Sequence, residues 1–172
     1  MENINSHYIK TKLMEYWRFS RQCLCANEVR YDRYIADVIV LRKDNLIHEI
    51  EIKCCKSDLC SLEIKKQKHL NFYKKNYPHY FSFVVPTELV EDAVKIIAQL
   101  NPKYGLIEIT NNYYSPITIR ISPKKLHNNT ENIDKWKHRI AFRLCSNLLS
   151  YMCTKLPKED PNNTPKEGVS LK

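Results

Sequence analysis

The stretch IADVIVLRKDNLIHEIEIKCCKSD, Ile35 to Asp58, constrains the fold more than any other part of the chain. Its β-branched runs predict two strands, Ile35 to Leu41 and Leu46 to Lys53, around the polar turn RKDN. Both strands carry charge inside apolar runs: Asp37 in the first, Glu49, Glu51 and Lys53 in the second. A buried, unpaired carboxylate is costly, so these positions need a reason.

A hairpin turning symmetrically about Asp44 sets the register. Opposed residue numbers then sum to 88, which places Asp37 across from Glu51 and Ile35 across from Lys53. Strand side chains alternate, so Asp37, Glu51 and Lys53 are expected on one face. Val38, Val40, Ile50 and Ile52 are expected to pack on the other. Opposed carboxylates repel unless a cation lies between them. A hard divalent ion with oxygen ligands, magnesium above all, resolves that repulsion. Lys53 beside it would orient or help deprotonate a water, or stabilise charge developing on a phosphate. The competing account is an ion-pair network, with Asp37 or Glu51 neutralised by Lys53 or Arg33.

The remaining elements follow from periodicity and breakers. Ile9, Leu13, Tyr16 and Trp17 predict a helix from about Asn5 to Ser20, and CLCANEVRY a strand. Ser57 or Ser61 is expected to cap a helix running to about Lys75. YFSFVV is a strand ended by Pro86, and Thr87 the cap of a helix through Leu100. YGLIEIT and PITIRIS predict two short strands, and Glu131 to Cys153 a long helix, apolar through Ile140, Leu144, Leu148 and Met152. This order implies an α/β fold, a mixed β-sheet flanked by helices with an additional C-terminal helix. One domain over 1–156 is expected, with 157–172 a disordered tail lacking core-forming residues.

Several function classes drop out. Two glycines in 172 residues leave no dinucleotide fingerprint and no P-loop. There is no G-x-S-x-G, and the histidines form no H-E-x-x-H pair. The seven cysteines match no paired C-x2-C zinc pattern and are expected as reduced thiols filling core and strand positions. No apolar run reaches the length of a membrane span, and the first residues lack a signal-peptide core. A soluble, cytoplasmic protein without membrane partners is expected. The net charge of +9 favours polyanionic partners, DNA first, with RNA left as an alternative.

Asp37 followed by Glu51-Ile52-Lys53 resembles the core of the PD-(D/E)XK nuclease superfamily. The ordered set RYIADVIVL, EIEIKCCKSDL, KKQKH, FSFVVP and KYGLIEI, within about Arg33 to Thr110, is similar to its MmcB-type group, associated with DNA repair. Ala36 stands where the name-giving proline would be, and Arg33 lies four residues before Asp37 rather than two. The resemblance implies a restriction-endonuclease-like fold and a Mg2+-dependent deoxyribonuclease (Mn2+ substituting). Asp37 and Glu51 would hold the metal, and Lys53 would assist the water.

Many members add a carboxylate from the first helix. Glu15 is the candidate, with Glu28 a rival, and Glu49 is read as a salt-bridge partner or support. Lys56 is expected to contact a phosphate, and Asp58 to cap the following helix. Lys65, His69 and Tyr73 share a helix face by their spacing, and Lys66 and Lys68 widen it into a nucleic-acid-binding strip. The alternative function is a nuclease-fold module, weak or inactive in catalysis, that binds DNA or a partner. A homodimer through the apolar C-terminal helix is a further alternative.

Overall fold

Across the central hairpin Leu41 faces Ile47, and the register runs from there through Val40–His48 and Ile39–Glu49 to Val38–Ile50. Every pair sums to 88, as the turn about Asp44 requires. The turn works because Asn45 adopts a left-handed backbone (φ 58°) and the Leu46 amide donates to the Asp44 carboxylate at 3.1 Å. Asn and Asp are the residues that tolerate and support this geometry. These features come from a computed structural model that describes residues 4–60, 69, 77–112 and 114–155.

Six strands form one sheet in the order β1 to β6: Leu24–Tyr31, Tyr34–Leu41, Ile47–Ile52, Tyr80–Pro86, Gly105–Ile109 and Ile117–Ile121. The first three make an antiparallel meander. β3, β4 and β5 run parallel, and β6 returns antiparallel. Parallel neighbours cannot be joined by a tight turn, so the chain leaves the sheet between them. The described helices are α1 (Ser6–Glu15), α2 (Lys56–Cys60), α3 (Val90–Leu100) and α4 (Ile133–Lys155).

The sheet separates two cores. On one face Ile9 and Leu13 of α1 pack over Val38, Val40, Ile50 and Ile52. On the other, Leu59, Ala93, Ile97, Trp136 and Ile140 from α2, α3 and α4 cover Ile39, Phe81, Phe83 and Leu106. The architecture is therefore α/β, a mixed six-stranded sheet flanked by helices with a C-terminal helix.

The first helix has the expected extent, capped by Asn5, which accepts from the Tyr8 amide at 2.9 Å, and it widens into a π-turn over Tyr16–Ser20. Three local expectations change. Thr87 opens a 3-10 turn, and neither flanking position makes a side-chain cap bond. Leu148 and Met152 are exposed, because the inward stripe of α4 ends near Leu144. Cys23 and Cys25 are buried, but Cys55, Cys60, Cys145 and Cys153 are exposed and fill no core. The expected tail at 157–172 and most of the helix expected up to Lys75 lie outside the described residues.

Candidate active site at the end of β3

Alternation along β3 sends Glu49, Glu51 and Lys53 to the face opposite Ile50 and Ile52. All three are buried, Glu51 at 1% exposure and Lys53 at 2%. The Lys53 amide still donates to Val84 at 3.0 Å, which fixes the backbone where β3 ends. Its ammonium lies between two carboxylates, 3.4 Å from Glu51 Oε1 and 2.9 Å from Asp58 Oδ1. Asp58 thus serves as Lys53's outer partner, from the first turn of α2, rather than as the expected cap. Glu49, opposite Ile39, accepts a 2.6 Å hydrogen bond from the Tyr31 hydroxyl. Burial first, then the neighbouring Glu49 and Glu51 charges, push the Tyr31 hydroxyl far above its usual range. Tyr31 therefore stays a neutral donor.

One further step of the register levels Asp37 with Glu51, but Asp37 does not simply share Glu51's face. Its Oδ2 accepts from the Ile52 amide at 2.8 Å, so the carboxylate turns along the sheet toward β3. The cause is a break in alternation. Ala26 and Val29 on β1, and Ile39 and Ala36 on β2, face the same core although they lie three residues apart. Glu28, at φ 51°, stands between the pairs on β1, level with Asp37. The strict same-face expectation for Asp37 is corrected accordingly. The half-buried Cys54 thiol is raised by burial first, with Asp58 and Asp37 among the charges that add to it.

Asp37 also lines a cleft of ≈ 770 Å³ between the β1–β2 hairpin and α4. Glu28 shares that lining and pairs with Lys10 at 2.8 Å and Arg143 at 2.7 Å. The Lys10 hydrogen bond and charge, with help from Arg143, hold its carboxyl below the usual range. Glu15 is elsewhere, paired with Lys12 at 2.9 Å beside the π-turn. Of the two rival carboxylates, Glu28 is the one brought to Asp37.

Lys56 pairs with Asp92 at 2.8 Å at the surface, tying α2 to α3 while the lysine stays largely exposed. One residue of the basic strip is placed differently from expectation. His69 is buried, its Nδ1 3.0 Å from the Tyr104 hydroxyl and its ring edge-on to Phe81. A ring packed there cannot lie along a phosphate backbone, so its expected nucleic-acid contact is corrected. Lys65, Lys66, Lys68 and Tyr73 lie outside the described residues.

Among the described residues no three His, Cys, Asp or Glu side chains converge to hold a metal ion. Magnesium asks for less, since it binds through one or two carboxylates and keeps several waters. Asp37, which lines the cleft, and the buried Glu51 are carboxylates, the donor type that magnesium takes. Tyr31 and Arg143 were not singled out from sequence, whereas Glu28 was read as a rival metal carboxylate and Asp58 as a helix cap beside the site.

No protein-family model matches the chain, and no curated protein matches it. Among solved structures it is similar to a protein of unknown function from Silicibacter pomeroyi, with a TM-score of 0.63 at 14% identity. The match covers 86% of this chain and 92% of that one, and at this identity it bears on the fold alone. None of the described helices is long and apolar enough to cross a membrane.

Proposed function

We propose that the chain is a metal-dependent nuclease that hydrolyses phosphodiester bonds in DNA, in repair or processing within the cytoplasm. The observation that carries this reading is the retention of Glu51 and Lys53 as a buried ion pair at the end of β3, beside Asp37 and an open cleft. A buried pair is often no more stabilising than apolar side chains of the same volume. Ionisable groups kept at such a place are candidates for chemistry.

In this reading Asp37 and Glu51 hold Mg2+, for which Mn2+ substitutes. The metal supplies charge neutralisation at the phosphate and a more acidic bound water. Lys53 would orient the attacking water and offset the negative charge that develops on the phosphate as the P–O bond to the leaving oxygen breaks. Asp58 holds the Lys53 ammonium toward this end of the strand. Tyr31 fixes Glu49, so that its carboxylate does not compete for Lys53.

A second reading, a DNA- or partner-binding module without turnover, has its own observation. Lys53 is held on both sides by carboxylates, as in a structural network. Cleavage of labelled single-stranded, duplex and branched DNA with Mg2+ or Mn2+ separates the two. A nuclease should lose at least ~10²-fold activity in Lys53→Ala, the scale of one proton-transfer or electrostatic catalyst. Asp37→Asn should lose metal binding and cleavage together. Binding without cleavage of any of these substrates by the wild type leaves the module as the account.

A further inference from the structure

The cleft that Asp37 lines has a second wall that the proposed chemistry does not use. α4 runs along the exposed edge of β1: Arg143 Nε donates to the Asn27 carbonyl at 3.1 Å, and Asn147 donates to the Asn27 side chain at 2.8 Å. These bonds close an otherwise open strand edge and fix the helix beside the hairpin. Their consequence is a set of side chains held over the cleft. Arg139 rests over the Trp136 ring at 5.2 Å, and Arg30 projects from the strand below. His138 and Phe142, one helical turn apart, stack with centroids 6.5 Å apart and planes 16° from parallel.

Phe142 is 69% exposed. It lies in a wall of cations, where a large apolar ring gains nothing from burial in the fold. Cations beside an open aromatic face are the two parts of a single-strand nucleic-acid site: the charges follow the phosphates and the ring receives a base. A duplex keeps its bases stacked on one another and would present mainly sugar and phosphate to this ring. An unpaired strand has bases free to turn onto it.

We propose that this cleft is a single-strand nucleic-acid groove, in which Arg30 and Arg139 contact phosphates and the His138–Phe142 stack receives an unpaired base next to Asp37. The proposal rests on the nuclease or nucleic-acid-binding reading of the site and adds its substrate class. Single-stranded ends, loops or flaps are the substrates it selects. Because the cations stand on α4 and β1 and not on β3, binding does not need the metal or Lys53.

The test is therefore binding in the presence of chelator, with a fluorescein-labelled oligothymidylate and a duplex of equal length. The wild type should bind the single strand more tightly than the duplex. Phe142→Ala should weaken single-strand binding by about tenfold, the scale of losing one base–aromatic stack, and leave duplex binding unchanged. Phe142→Trp should keep the preference. Phe142 is exposed, so these variants should melt like the wild type, and that is to be checked. Equal or tighter duplex binding by the wild type, or a Phe142→Ala protein with unchanged single-strand affinity, overturns the groove. The failure of the nuclease reading looks different: single-strand preference persists in the wild type and in Lys53→Ala, while neither cuts DNA.

Discussion

Lys53 holds two carboxylates of unequal exposure, one sealed in the sheet and one on the rim of α2. Removing the cation leaves Glu51 buried without it, which costs about 3 kcal/mol or more for pairs of this kind. Lys53→Met should therefore lower the free energy of unfolding in urea by that amount. Adding Glu51→Gln to the same chain should recover most of the loss; a double variant no better than the single one would show the pair to be weakly coupled. His48 is a residue of the opposite sort. It is fully enclosed, Nε2 2.8 Å from Ser82 Oγ, and burial with the nearby Arg42 charge pushes it down to about 3. The unfolded ring takes up a proton near 6.5 and the folded one resists until about 3, so stability is lost as pH falls through that window. The slope from this one ring should approach ~1.4 kcal/mol per pH unit. His79, also lowered by burial, acts in the same direction, so His48→Gln should flatten the slope of urea-derived stability without removing it. Little of this was legible from residue type: His48 read as one scattered histidine, and nothing announced which histidines would be enclosed.

At the scale of elements, the hairpin was readable because its turn residues and its apolar alternation agree, which pins register strongly where both faces are buried. The break opposite Asp37 was not readable. It depends on Glu28 taking a left-handed backbone, which a glutamate gives no reason to expect. The spacing of Lys65, His69 and Tyr73 implies a shared helix face, yet periodicity alone does not say whether that face meets solvent or core. Tyr104 and Phe81 decide it for His69. Gly105, at the start of β5, sits at a close approach of neighbouring chain segments. A Cβ there would collide with Ser82 Oγ and come within 2.8 Å of Pro123 Cδ and 3.0 Å of the Ile121 carbonyl. Ser82 is pinned by His48 and the carbonyl belongs to the β6 backbone, so neither yields readily. Gly105→Ala should cost about 1–3 kcal/mol of overpacking and loosen the β5–β6 pairing. Thermal unfolding gives the first quantity and amide exchange of β6 the second; an unchanged melting temperature would mean that β6 shifts freely.

For the whole molecule, the charge of +9 acquires meaning only through where the cations stand. Lys10, Lys12, Lys53, Lys56 and Arg143 are engaged with carboxylates of the fold. Arg139 is held over an aromatic ring, and with Arg30 it faces the cleft that Asp37 lines. Two surfaces are the candidates for the proposed nucleic-acid contact: this cleft, and the basic strip of Lys65, Lys66 and Lys68 expected from sequence. Salt distinguishes them. Each neutralised phosphate releases counterions, so the logarithm of affinity falls with the logarithm of salt by roughly 0.7 unit per phosphate of a single strand. If the cleft carries the strand, Arg30→Ala with Arg139→Ala should flatten the salt dependence of oligothymidylate binding by about 0.7 unit for each phosphate no longer held. Lys65→Ala with Lys66→Ala and Lys68→Ala should then leave it nearly as steep as in the wild type. The reverse result would move the strand to the basic strip, with Asp37 approached from that side. Flattening in both variants would mean that the strand contacts both surfaces, and cleavage would then require a strand long enough to reach both.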